Sequence, residues 1–191
     1  MKIWMLAAAL VCGATMVNAQ DTKHEIGISY GAGSNSKILS ALDDLVDLTA
    51  TGGAVSYDNE KFVGPIAVEY FYHLSPKVGI GGIASYANTK KDALVGSTKQ
   101  GDAKVNFFTV MPAVKLGWFE KDHFGMYSKV AAGLTFRSEK QDWADISENN
   151  VKFNFQVSLV GLEVGSQTVR GFAELGVGEQ GIILAGLRYK F

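Results

Sequence analysis

Three histidines, His24, His73 and His123, and a single cysteine, Cys12, are the side chains best suited to metal binding or nucleophilic chemistry. No two histidines stand at ligand spacing, and Cys12 lies within an N-terminal apolar run, so a Cys/His zinc site lacks its donors. His73-Leu74-Ser75 sets an imidazole two residues from a hydroxyl. An acyl-transfer site needs such a nucleophile and base, plus an acid to orient the base. Pro76 follows at once, which places the pair in a turn. Gly176-Val177-Gly178-Glu179-Gln180-Gly181 matches G-x-G-x-x-G. A dinucleotide site would open a helix after those glycines, its N-terminus facing the pyrophosphate. An apolar strand pattern follows instead, so the motif reads as a tight strand–loop–strand turn. No catalytic, cofactor-binding or metal residue is expected, and no cofactor.

The elements behind these residues alternate with period two, the mark of strands with one apolar and one polar or small face. Ile26, Ile28 and Tyr30 oppose Glu25, Gly27, Ser29 and Gly31; Ile66, Val68, Tyr70 and Tyr72 oppose Ala67, Glu69, Phe71 and His73. Phe153, Phe155, Val157 and Leu159 alternate with Asn154, Gln156 and Ser158, and Ile183, Ala185, Leu187, Tyr189 and Phe191 with Gly186, Arg188 and Lys190. Weaker alternation over 77–87, 105–118 and 170–178 supplies three more strands. Residues 124–136 are ambiguous: Ser128 and Lys129 fall on opposite faces, which suggests a bulge there. The total is about eight strands of roughly ten residues, a length that crosses a membrane when tilted. Short links at 74–77, 120–122 and 165–167 alternate with long polar ones at 33–61, 88–104 and 137–150, the asymmetry of short inner turns and long external loops. The brief last link, 179–181, breaks the trend. Within the first long link, Ile38, Leu39, Leu42, Leu45, Val46 and Leu48 recur at near-helical spacing and suggest a short amphipathic helix.

Composition narrows the class. The chain has 191 residues, with 18 Lys and Arg against 19 Asp and Glu, a balance that excludes the strongly basic face of a nucleic-acid binder. Lys2, an uncharged run over 3–16 and Val17-Asn18-Ala19 form a signal-peptide pattern with cleavage before Gln20. The expected organisation is therefore a signal peptide over 1–19 and one barrel domain over 20–191, which contains no cysteine.

Two architectures fit eight exported strands. A soluble, lipocalin-like barrel turns its apolar faces inward around a ligand; a membrane barrel turns them outward and keeps a polar interior. Ile, Tyr, Phe and Trp on nearly every strand would overfill a small barrel, while Glu25, Glu69, Lys115, Glu174 and Arg188 can pair with one another inside one. Tyr72, Trp118, Tyr127, Tyr189 and Phe191 near the short turns, and Tyr30, Tyr86, Phe108 and Phe136 near the long loops, would form two aromatic girdles. The expected fold is thus an all-β, eight-stranded antiparallel transmembrane up-and-down barrel. Its test is simple: Ile28, Val68, Phe155 and Leu187 should lie outside, and Glu69 and Arg188 within.

Gly186-Leu187-Arg188-Tyr189-Lys190-Phe191 resembles the C-terminal assembly signal of outer-membrane proteins, with Gly186, Tyr189 and Phe191 as its marks; Leu184 departs from it, since a polar residue is usual there. The stretch from Gly171-Phe172-Ala173-Glu174-Leu175-Gly176 to Phe191, with Thr109-Val110-Met111-Pro112-Ala113-Val114, resembles the small outer membrane protein beta-barrel domain family, common among Bacteroides-like bacteria. That resemblance implies a cell outer membrane location, outer-membrane lipid as surroundings and the barrel-insertion machinery as assembly partner. It implies no settled activity. The His-x-Ser spacing of His73 and Ser75 is also similar to that of outer-membrane lipid A deacylases, but their chemistry sits near the outer leaflet and this pair falls at an inner turn. The leading expectation is a non-enzymatic barrel with a structural or surface-interaction role carried by external loops, and no large pore. A lipid-modifying enzyme and a soluble periplasmic ligand-binding barrel are the alternatives.

Overall fold

The computed structural model describes residues 23–37, 55–95, 98–141 and 146–191. Both the signal-peptide segment and the helical pattern over 38–48 lie outside the described residues. Eight strands follow one another: β1 (His24–Ala32), β2 (Val55–Ser75), β3 (Val78–Val95), β4 (Thr98–Glu120), β5 (Phe124–Gln141), β6 (Ile146–Gly165), β7 (Val169–Gly178) and β8 (Ile183–Lys190). Each pairs antiparallel with the next, and β8 returns to β1, so the sheet closes as an up-and-down barrel. At the seam Ile28 stands between Val68 and Leu187, and Gly27 between Glu69 and Arg188, which keeps apolar and ionic rows in phase round the closure.

The side chains sort as the alternation requires, with the apolar face outward. Ile28, Val68, Phe155 and Leu187 are 54, 46, 38 and 61% exposed, whereas Glu69 and Arg188 are each 1% exposed. Among the described residues, thirty large apolar side chains are this open on the outer wall. The largest apolar patch of a typical soluble monomer covers roughly 300–600 Å², so a belt of this extent is not the surface of a protein surrounded by water.

Strand length departs from the expected ten residues. β1, β7 and β8 have 9, 10 and 8 residues, but β2 to β6 have 18 to 23. Among the described residues, the polar links expected over 88–104 and 137–150 are continued strand, as is 55–61 at the end of the first. Lys90 pairs with Lys104 and Asp92 with Asp102, well past the apolar rows. Alternation disappears there because it reports a difference between two faces, while the ladder itself needs only backbone groups. β1 leaves β2 after Tyr30–Ile66, and β7 leaves β6 after Gln156–Gly178. Beyond those points β2 to β6 rise alone as a tall wall.

The expected bulge exists, but on the partner strand. Tyr127 pairs with Gly161 and Lys129 with Ser158, so the additional residue belongs to β6, beside Leu159. Ser128, on the outer face, donates its hydroxyl to the Leu159 carbonyl at 2.7 Å and satisfies the acceptor that the bulge leaves turned outward.

Candidate functional site

The lumen holds a cluster of buried ions near the short-turn end. Arg188, projecting from β8, is its hub. Its Nη1 donates to Glu163 at 2.6 Å, its Nη2 donates to Glu69 and, at 3.1 Å, to the Tyr127 hydroxyl, and its Nε lies 2.7 Å from Glu25. The guanidinium plane also lies over the rings of Phe172 and Tyr127, at 4.1 and 4.8 Å. A planar fork with several donors suits this task, because one cation must face three carboxylates carried by β1, β2 and β6.

The remaining charges complete the neutralisation. Lys129 donates to Glu69 and Glu174 at 2.8 Å each, and Lys115 donates to Glu25 at 2.9 and 3.0 Å and to Glu163 at 3.3 Å. Lys190 and Arg170 both reach Glu163 at 2.7 Å, and Lys190 extends to the half-open Glu120 at 2.6 Å. Five cations thus meet four fully enclosed carboxylates and one at the rim. Removing such ions from water costs several kcal/mol apiece, and only multiple partners with good geometry offset that cost. Every enclosed carboxylate here has at least two partners. Ser158 adds a short hydrogen bond to Glu174.

Tyr127 corrects one expectation. It belongs not to a girdle but to the lumen, where it is 1% exposed and donates its hydroxyl to Glu174 at 2.7 Å. A side chain on Gly161 would place its Cβ 2.4 Å from the Tyr127 ring, so a glycine is needed across from it. The other expected girdle members face outward or sit half-buried at the rims, and Phe191 stacks on His24 and Tyr189 with centroids 5.4 and 5.6 Å away.

A second polar group closes the tall end of the lumen. The β7–β8 turn carries Glu179 back into the barrel, where its carboxylate accepts from Asn154 at 2.7 Å, from Thr109 at 3.3 Å, and from both the hydroxyl and the backbone N–H of Ser36. Asn35 donates to Asn154 at 2.9 Å. Residues 34–36 are therefore folded inward over the lumen rather than upward with the wall. No cation pairs with Glu179 among the described residues, and burial pushes its carboxyl above the usual range. The turn that the G-x-G-x-x-G run was expected to form is present, with Gly178 and Gly181 at φ 139° and 115°.

The histidines are held apart. His73 Nε2 lies 3.1 Å from Glu25, His24 Nδ1 lies 2.7 Å from the Tyr70 hydroxyl, and His123 Nδ1 lies 3.0 Å from the Gly165 carbonyl. Ser75 instead accepts the Lys77 N–H at 3.3 Å in the β2–β3 turn, so it and His73 are not joined as nucleophile and base. Of the assembly-signal residues, Gly186 has a packing reason of its own: a Cβ there would lie 2.1 Å from the Ile28 carbonyl and 2.9 Å from the Phe172 ring. Sequence reading named Glu25, Glu69, Lys115, Glu174 and Arg188 as interior charges, and all five meet. It missed Glu163, which binds four of the five cations, and Glu179. The phase of Glu163 with Gly161 and Gly165 on β6 was the available signal.

No family model matches the chain, and no curated protein matches it. Among solved structures it is similar to Ail, the attachment invasion locus protein of Yersinia pestis. The two share 16% identity over 88% of this chain and 96% of that one, with a TM-score of 0.44.

Proposed function

We propose that this chain is a small outer-membrane barrel with a structural or surface-interaction role and no catalytic one. The observation that carries this reading is the inversion of the wall: apolar outside, ionic within. The belt rows between the two ends supply the roughly ten residues per strand that a tilted crossing requires. Among the described residues, Arg188 and its partners occupy the lumen at one level and the Glu179 group at another, which supports a barrel without a large pore.

Surface interaction is assigned to the tall wall, since the long-loop end faces outward when both termini lie on the periplasmic side. Above Gln156, β6 pairs only with β5, and above Ile66, β2 pairs only with β3, among the described residues. Each presents a strand edge to which an extended polypeptide segment can add through main-chain hydrogen bonds.

Membrane fractionation combined with heat-modifiable gel mobility tests the location. Recovery in the outer membrane, with faster migration of the unboiled protein, is expected; recovery in the soluble fraction with mobility unchanged by boiling overturns it. Protease added to whole cells should cut the tall wall and spare the belt.

A further inference from the structure

Halfway along the belt the outer surface sinks inward. Tyr70, Ile80, Pro112, Val114, Val130 and Ala132 line a groove there. Its floor is made of the smallest groups in the belt. Gly82 pairs with Pro112, and Ala132 stands opposite Pro112 in the phase of β4 and β5, whereas the same row ends in Tyr70 on β2 and Phe155 on β6. Large aliphatic side chains stand in the rows on either side, Val110 and Leu134 in one and Ile80 and Val114 in the other.

The wall is also loosely knit at this point. β4 and β5 pair at Val110–Leu134 and again, in unchanged phase, at Ala113–Ala131, but the two positions between do not pair. Pro112 has no N–H to donate, which accounts for the gap. Behind it the lumen is apolar, with Ile83, Met111, Ala113 and Ala131 packed in one buried cluster. No charged side chain lines the groove.

We propose that this groove seats one hydrocarbon chain of a membrane lipid. The proposal rests on the reading that the belt faces hydrocarbon. The occupant follows from the chemistry. The groove offers a headgroup no charged side chain: its polar atoms are the hydroxyls of Tyr70 and Tyr72 at the short-turn end, and that of Tyr70 is already engaged by His24. Its floor lies in the middle of the belt, and its lining runs from there toward the short-turn end as far as Tyr72. Its floor spans three strands, about 10 Å at the usual strand spacing, enough for a single flexible chain. A second copy of the barrel is disfavoured. In lipid, association gains nothing from burying apolar surface, and the floor of the groove carries no polar side chain to bond across an interface.

Native mass spectrometry of the folded barrel, extracted from phosphatidylcholine vesicles and washed in detergent, tests this. The wild type should retain one lipid. Ala132→Phe, which fills the floor, should retain about tenfold less, the factor that about 1.4 kcal/mol of lost contact supplies. Leu175→Phe, which adds the same ring elsewhere on the belt, should behave as wild type. Equal retention by wild type and Ala132→Phe, or none by either, overturns the proposal, as does a wild-type dimer in vesicles that Ala132→Phe dissociates. Gel mobility confirms that each variant is folded, and Pro112→Leu replaces Ala132→Phe if the latter is not. A chain that never enters vesicles refutes the membrane reading instead, a separate and visible result.

Discussion

Replacing Arg188 with methionine removes one cation from a lumen in which Glu25, Glu69 and Glu163 all face it. Lys129 remains for Glu69, and Lys115 for Glu25 and Glu163, but the balance of five cations to five carboxylates falls to four against five. Breaking a buried ion pair by deleting one partner costs about 3–5 kcal/mol, because the other charge stays enclosed. That is a large part of the roughly 5–15 kcal/mol stability of an ordinary domain. Arg188→Lys keeps the charge but loses the fork, and should cost about 1.5–3 kcal/mol, the value of one charge-assisted hydrogen bond. The sign test is the double variant: Glu69→Gln should be destabilising alone, yet in the Arg188→Met background it should recover part of the loss by removing an excess anion. Urea titration of the barrel in vesicles, read by unboiled gel mobility and by tryptophan emission, measures the wild type and all four variants. A cost under about 1 kcal/mol for Arg188→Met, or a double variant weaker than Arg188→Met, would show that these charges are hydrated rather than paired, and the ionic core would have to be given up.

Two further outcomes are expected. Leu187→Arg, on the outer face, should lower stability in vesicles by about 2–4 kcal/mol if it meets hydrocarbon, and by no more than about 0.5 kcal/mol if it meets water; the same titration distinguishes them. Glu179 titrates above its unfolded value, so the native barrel holds its proton more tightly than the unfolded chain does. That contribution to stability is complete below the unfolded pKa and is lost as pH rises through the native one. Glu179→Gln should flatten the unfolding midpoint across this window, starting near pH 4.3, and an unchanged pH profile in the variant would refute the assignment.

The wall was legible wherever its two faces meet different surroundings. Ile28, Val68 and Leu187 against Glu69 and Arg188 announced themselves by alternation, and the closed register then had no freedom to place them otherwise. Where both faces meet similar surroundings the signal vanished, and the outer halves of β3 and β4 read as loop although Asn88 pairs with Asn106 and continues the ladder. Tyr127 misled because a tyrosine near a strand end suits an interface; with the bulge on β6, β5 runs unbroken through it, and period two gives it the inward phase of Lys129. Glu179 was hidden by its own motif. The glycines that flank it explain a turn, and nothing local says that the turn bends back into the barrel.

The seam carries a consequence for how the molecule is made. The first strand and the last are neighbours, and the guanidinium on the last faces carboxylates of strands synthesised more than a hundred residues earlier. Until β8 arrives, the sheet is an open trough with surplus negative charge, better left wet than sealed. Its arrival zips the final ladder and cancels that charge in one event. Shutting the cylinder and drying its interior are thereby a single step, and a partly closed form gains neither benefit.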